Sequence, residues 1–376
     1  MTSSGSRRTG FAAALVLAAA CTPREDYVPE PRTDAAVTDA SVDSDGGLED
    51  DGGFEDGGAA DGPRCVPGGT TALEPVTIAC GQPAPARIGV DDSNVYWAAQ
   101  HKGAIVLKAP LAGGSAEVLV HDGAPAVGLA VGVRFIFYTQ PSAGRVMRVP
   151  KVGGLPVAIA TKLDTPLFLA IDLDAEIPAL YWTGGSGENG VVMRLELLEG
   201  ATPTVLIDGQ PRPRAIAVRD GFVYWTDFSD GSLRRIPADA TTPDAGAPDA
   251  GGPDGGIHIA TRLASGLRGP SDLALADGFA YLPDQSGRIA RVPLEGGALE
   301  TFASTSGVPF GVATNGLALY WTTLGSDGGL FRKRLALDAP VAALVTDEPD
   351  PHFLTVGKVA VFWGAWGLGA VRKIAR

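Results

Sequence analysis

Four histidines and three cysteines in 376 residues leave little material for nucleophilic or metal chemistry. No Ser-His-Asp set can be assembled from the spacing, and neither glycine-rich phosphate loop is present although glycine occurs 51 times. The apolar run from Phe11 to Ala20 has ten residues, against the roughly twenty that a membrane-crossing helix requires. Positive charge is scarce as well. Thirty Lys and Arg stand against 43 Asp and Glu, and the net charge of −13 opposes binding to nucleic acid.

What the chain has is a recurring pair of rings. Tyr96-Trp97, Phe137-Tyr138, Tyr181-Trp182, Tyr224-Trp225, Tyr281-Leu282, Tyr320-Trp321 and Phe362-Trp363 follow one another at separations of 41, 44, 43, 57, 39 and 42 residues. Such a period belongs to propeller blades. Five of the six tryptophans, Trp97, Trp182, Trp225, Trp321 and Trp363, take the second place of the pair. The rings Tyr96, Tyr181, Tyr224 and Tyr320 beside them therefore read as packing residues of one structural position. A proline precedes the first ring by eleven residues at Pro85, Pro213, Pro270, Pro309 and Pro351, and by one and four residues more at Pro125 and Pro166.

The fourth repeat is the clearest. Ala215-Ile216-Ala217-Val218 reads as a strand, and Asp220-Gly221 supplies the positive φ angles of a two-residue hairpin turn. Phe222 to Thr226 is a second strand, and Ser232 to Ile236 a third that stops at Pro237, which cannot donate to a ladder. Fourth strands are expected at Glu117–Val120, Pro156–Ala160 and Leu299–Phe302. Each repeat is thus a four-stranded antiparallel meander, the unit of a propeller blade.

The seventh repeat stops after its third strand, Ala370 to Ile374, and lacks a fourth. An extended run without a repeat of its own, Glu74 to Ile78, precedes the first. Pairing the two would close the ring and remove an exposed edge, which predicts an all-β, seven-bladed propeller. Six blades, with one repeat outside the ring, are the alternative.

The expected domains are a leader over 1–20, a tether over 21–63 and the propeller over 64–376, interrupted by an insertion at 238–256. The tether carries thirteen acidic and two basic residues, holding most of the chain's net charge, and repeats Asp-Gly-Gly at 45–47, 51–53 and 56–58. Such composition cannot bury enough apolar surface to become ordered. The same aspartates lack the ligand spacing and closing glutamate of a calcium loop. The insertion repeats Pro-Asp-Ala-Gly at 243–246 and 248–251 and is of the same kind, with the outer strand of the fourth blade expected to begin near His258. Cys65 and Cys80, an even pair in an exported chain, are expected to form a disulfide.

Arg7-Arg8, the apolar run and Ala18-Ala19-Ala20-Cys21 read as a signal peptide, and the last four residues resemble the lipobox of bacterial lipoproteins. The resemblance implies that the Cys21 thiol receives a diacylglycerol and becomes the mature N-terminus. The expected location is the cell envelope, with a lipid anchor in the outer membrane and the body on its periplasmic or surface side. Ordinary secretion with cleavage near Ala20 is the other reading.

Tyr224-Trp225-Thr226-Asp227, with Tyr181-Trp182-Thr183 and Tyr320-Trp321-Thr322, resembles the YWTD repeat of the low-density-lipoprotein-receptor type propellers. The likeness extends through Gly231-Ser232-Leu233-Arg234-Arg235 and Gly287-Arg288-Ile289-Ala290-Arg291 and covers roughly residues 72 to 376. It implies a fold. It differs in count, because those receptor propellers have six blades.

Propellers place function at the channel mouth ringed by the loops that enter first strands and those that join second to third strands. The first set names Arg87, Phe168, Arg214, Asp272, Phe310 and His352, and the second His101, Gln140, Glu188, Asp230, Asp284 and Asp327. Arg87, His101, Phe168, Arg214, Asp272, Phe310 and His352 are taken as the candidate binding rim, suited to a protein or a polar envelope ligand. No catalytic residue, metal or cofactor is expected, and the predicted function is a non-catalytic binding or scaffold module. The alternative is a metal-assisted hydrolase or lyase at the same mouth, resembling gluconolactonase-like hydrolases or streptogramin lyases. It would use His101 and His352 as ring neighbours with Glu188 or Asp284. Against it, no histidine or carboxylate is expected in an innermost strand.

Overall fold

Asp220 and Gly221 adopt φ of +49° and +75°, so two residues suffice to reverse the chain between Pro213–Arg219 and Phe222–Asp227. Asp277 and Gly278 repeat the turn at +48° and +73°. In the sixth repeat Gly316 alone is left-handed, and Asn315 Oδ1 completes the turn by accepting from the backbone N–H groups of Leu317 and Ala318. A third strand, Ser232–Pro237, and a fourth, Thr261–Ala264, finish this sheet.

The computed structural model describes residues 74–82, 84–99, 104–121, 123–240, 260–325 and 327–376. Cys21, Cys65, His101, His258, the leader, the tether and most of the insertion lie outside them. The described residues form seven four-stranded antiparallel sheets. Numbered by innermost strand, the blades begin at Pro85–Val90, Leu129–Val131, Leu169–Asp172, Pro213–Arg219, Ala274–Ala276, Pro309–Thr314 and Pro351–Val356. Each innermost strand touches the next in chain order, and that of blade 7 touches that of blade 1. The fold is an all-β, seven-bladed propeller.

The ring is sealed by both ends of the described chain. Val76–Cys80 pairs antiparallel with Ala370–Ala375, with Val76 opposite Lys373 and Cys80 opposite Ala370. Blade 7 therefore takes its outer strand from before blade 1, and no sheet is left a strand short.

Side chains alternate across a strand, so the two rings of each pair face opposite neighbours. Tyr96 of blade 1 packs with Ile136 and Tyr138 of blade 2, and Phe137 of blade 2 with Leu180 and Trp182 of blade 3. Tyr281 of blade 5 meets Leu319 and Trp321 of blade 6, and Tyr320 meets Val361 and Trp363 of blade 7. The first ring thus packs on the following blade and the second on the preceding one. A buried aromatic side chain removes about 150–250 Å² from water, roughly 4–6 kcal/mol at about 25 cal/mol per Å², an upper figure because unfolded chains already bury some surface.

The residue after the second ring shares the first ring's face and latches the same neighbour. Thr139, Thr183 and Thr322 donate through Oγ1 to the carbonyls of Leu167, Arg214 and His352 in the next blade, at 2.6, 2.7 and 2.6 Å. Each of these hydroxyls also accepts from an N–H of its own blade, that of Gly128 or Phe168 just before the first strand or of Gly311 within it. Thr226 does the same between Ala215 N–H and the Pro270 carbonyl. Where the threonine is absent, Ser271 Oγ donates to Phe310 O from blade 5, and Trp366 Nε1 to Pro85 O from blade 7.

Candidate functional site

The residue one place before the ladder position opposite the second ring is where the innermost strands approach one another. Around the ring these are Arg87, Gly128, Phe168, Ala215, Asp272, Gly311 and Phe353. Large and small alternate. Gly311 has no room for a side chain, since a Cβ there would lie 2.8 Å from the His352 carbonyl oxygen and 3.0 Å from Phe353 Cα. With an odd number of blades the alternation must fail once, and it fails between blades 7 and 1. There the two large residues stack, the Arg87 guanidinium 4.1 Å from the Phe353 ring.

Four large side chains then fill the axis beneath the mouth. Arg87 of blade 1 reaches Asp272 of blade 5 at 2.8 Å, while Asp272 Oδ2 accepts from Val312 N–H of blade 6 at 3.0 Å. The same guanidinium lies 4.5 Å from Phe168, and the centroids of Phe168 and Phe353 are 5.7 Å apart. Phe310 packs on Phe353 and on His352, which in turn meets Trp366 with ring centroids 3.7 Å apart.

This arrangement corrects the expected rim. The structure brings Arg87, Phe168, Arg214, Asp272, Phe310 and His352 together, but Phe168, Asp272, Phe310 and His352 are buried. They hold one another beneath the mouth rather than facing solvent, because seven strands converging on one axis leave no solvent between residues this large. A second correction concerns the innermost strands: His352 lies in Pro351–Val356. Its Nδ1 has no partner, and burial pulls its pKa down to about 3, so the imidazole is neutral and a weak base.

Of the other loop set, Gln140 is buried, donates to Ala124 O and accepts from Arg145 Nε. Glu188 and Asp327 are exposed. Asp230 accepts from Ser232 N–H and Arg234. Asp284 is buried, which pulls its pKa up, but hydrogen bonds from Ser286 and Arg288 outweigh burial and hold it below the usual carboxylate range. Among the described residues no three His, Cys, Asp or Glu side chains come together as metal ligands.

Accessible chemistry at the mouth comes largely from residues that sequence reasoning passed over. Arg212 precedes Pro213 in the left-handed region at φ +75°, where a non-glycine residue is strained. Its guanidinium lies 5.2 Å from Phe228, and that of Arg214 lies 4.9 Å from Phe228 and 5.8 Å from Phe168. Cation and ring therefore alternate from rim to axis: Arg212, Phe228, Arg214, Phe168, Arg87, Phe353. Burial first, then the Arg212 and Arg87 charges, pull the Arg214 pKa down to about 10, with Asp272 opposing. A sign of this existed in the sequence, because Phe228 directly follows Tyr224-Trp225-Thr226-Asp227. Trp366, the one tryptophan outside the ring pairs, was another.

On the opposite face a cleft of about 1020 Å³ opens between blades 3 and 4, lined among others by Asp172, Tyr181, Arg194, Arg219 and Asp239. It exists because blade 3 joins its first two strands with six residues, 173–178, where blades 4 and 5 use two. Its charges are of both signs and it shares no residue with the mouth.

No protein-family model and no curated protein sequence matches the chain. Among solved structures it is similar to virginiamycin B lyase from Staphylococcus aureus, at 14% identity and a TM-score of 0.59 over 81% of this chain and 98% of that one. It is also similar to a chain of the nidogen–laminin complex, at 20% identity and a TM-score of 0.51 over 70% and 97%. The computationally designed Ika8 protein matches at 11% identity and a TM-score of 0.54 over 80% and 98%. At these identities the likeness is one of fold alone.

Proposed function

We propose that the protein is a non-catalytic recognition module, held at the bacterial cell envelope by a lipid on Cys21 and engaging a protein or polar envelope ligand at the channel mouth. One observation carries the reading: the axis under the mouth is filled by Arg87, Asp272, Phe168 and Phe353, which are bonded or stacked to one another across the ring. What faces outward is a shelf of partly exposed Arg212, Arg214 and Phe228 on a preorganised floor. Such a shelf suits the surface of a partner better than the enclosure of a small substrate. The one described histidine at the mouth, His352, is neutral and wedged between Phe310 and Trp366, which removes it as a ready general base.

The expected spacer would act as a flexible leash of about forty residues, with a root-mean-square reach of roughly 35 Å. A Cys65–Cys80 disulfide would fasten the start of the propeller to the strand that closes it.

Proximity labelling with the anchored protein in its own cells would nominate partners, which can then be tested against purified variants. Phe228→Ala is expected to lose the partner at an unchanged Tm, whereas Leu173→Ser, on the opposite cleft, is expected to keep it. Retention by Phe228→Ala, or loss in Leu173→Ser alone, would remove the mouth from the proposal. Cys21→Ser is expected to release the protein from membranes. Turnover of any substrate that disappears in His352→Ala would replace the binding reading with a catalytic one.

A further inference from the structure

Arg87, Arg214 and Arg212 stand in a row of rings and cations that runs from the axis to the rim, and the row is not neutral. Asp272, the carboxylate nearest this row, is already bonded to Arg87. Two further acidic groups that the loops place on this face are engaged within their own blades, while Glu188 and Asp327 are exposed. Asp230 is taken by Ser232, Arg234 and Arg262, and Asp284 by Ser286 and Arg288. Among the described residues neither Arg212 nor Arg214 pairs with a carboxylate, and Arg214 Nε is buried with no hydrogen-bond partner. The row of Arg87, Arg212 and Arg214 with Asp272 thus carries two more positive than negative charges, in a chain whose net charge is −13.

Holding these charges is unfavourable without a counterion. Two guanidiniums brought onto one ring repel, and burial denies the Arg214 Nε the water that would otherwise satisfy it. Arg212 is left-handed directly before a proline, as are Ala84, Thr165 and Asp350 at the entries of blades 1, 3 and 7, so this conformation belongs to the repeat. Its position is secured: Arg212 N–H donates to Gln210 O at 2.9 Å, and its carbonyl accepts from Phe228 N–H at 3.1 Å. Unpaired charge maintained by surrounding structure is what a preformed ligand site looks like before its ligand arrives.

We infer that the mouth is an oxyanion site, in which the guanidiniums of Arg212 and Arg214, both stacked on Phe228, take a carboxylate or phosphate group of the ligand. Planar guanidiniums offer paired N–H donors that match either oxyanion. The Phe228 and Phe168 rings hold those donors in orientation and exclude water from their faces. Arg87 does not join them, because Asp272 neutralises it. This inference rests on the mouth being the recognition surface and adds the chemistry of what it recognises.

The test uses the full chain in detergent, at an ionic strength held constant with sodium chloride. Inorganic phosphate and succinate are titrated separately, with the thermal midpoint and calorimetric heat as readouts. A saturable rise in Tm is expected with at least one probe, and which one distinguishes a phosphate-bearing from a carboxylate-bearing ligand. Arg212→Gln and Arg214→Gln are each expected to weaken that binding by at least about tenfold. Arg268→Gln, an exposed cation on the neighbouring loop, is expected to leave it unchanged. Should Arg214→Gln fail to fold, Arg212→Gln carries the test alone, together with Arg214→Lys, which keeps the charge without the fork and should bind more weakly. No saturable binding of either probe, or equal binding by wild type and Arg212→Gln, overturns the inference. If anion binding fails while Phe228→Ala still loses the protein partner, the chemistry is wrong and the recognition surface stands. If both fail, the mouth itself is the wrong place.

Discussion

Asp227 and Asp284 occupy the same position in successive blades, the last residue of the second strand, and their fates differ by one residue of turn. Three residues, 285–287, follow Asp284, which places Ser286 N–H and Arg288 within hydrogen-bond reach of it. Four residues, 228–231, follow Asp227, and Asp230 within them takes the serine and arginine that lie two and four residues further on. Asp227 is left buried with both carboxylate oxygens unpartnered, Arg234 approaching no closer than 3.7 Å. Burial, then the neighbouring Asp230 charge, push its pKa up to about 7, with Arg234 opposing. The folded state therefore binds this proton more tightly than the unfolded chain, whose carboxyl titrates near 3.8. Stability from the protonated form is fully present below about pH 4 and is lost as pH rises through about 7. Asp227→Asn should melt higher than wild type at pH 8, and the gap should close between pH 7 and pH 4. Parallel Tm curves for the two proteins across that range would show that Asp227 is not the titrating group.

The strand that closes the ring shows what an element can do that a residue cannot. Val76–Cys80 adds a buried face through Ile78 and brings Gln82, whose Oε1 accepts the Trp97 indole N–H of blade 1 at 3.2 Å. On the other side of the joint, Trp363 Nε1 donates to Glu348 of blade 6, and Arg372 binds the same carboxylate. Both blades that flank the closure thus anchor their tryptophan to a neighbour's outer segment. Removing residues 370–376 would strip blade 7 of its third strand, orphan Val76–Cys80 and expose an unpaired edge. The truncated chain is expected to lose its single cooperative urea transition and to sediment as aggregates. A sharp transition with a midpoint near that of the full chain would mean that the ring does not depend on this joint. The closure was legible beforehand because it needs only two facts readable locally, a last repeat that is one strand short and a spare extended run before the first.

At the scale of the whole molecule, the seven blades are held together at the axis as well as at their interfaces. The Arg87–Asp272 pair joins blades that are not neighbours, and the Asp272 carboxylate is almost wholly buried, at 3% side-chain exposure. Removing one partner of such a pair strands the other charge, which typically destabilises by about 3–5 kcal/mol, whereas apolar replacement of both is often neutral. Asp272→Leu should therefore lower stability by about 3 kcal/mol, and adding Arg87→Met to it should recover most of the loss, as measured by urea denaturation of the wild type, the two single variants and the double variant. Equal losses in the single and double variants would show that the pair acts only through packing.

The amino-acid sequence by itself determined the seven-fold repeat, the four strands of each blade, the hairpin at Asp220-Gly221 and the joining of the region around Val76 to that around Arg372. Each of these follows from turn residues, strand alternation and spacing, which act over a few neighbours or through a simple count. Only the tertiary structure decided that Phe168, Asp272, Phe310 and His352 are buried, that Arg87 crosses the ring to Asp272, and that Arg212, Phe228 and Arg214 form the face left open. These depend on how seven strands share one axis, where the room for each side chain is set by the residues of the other six blades.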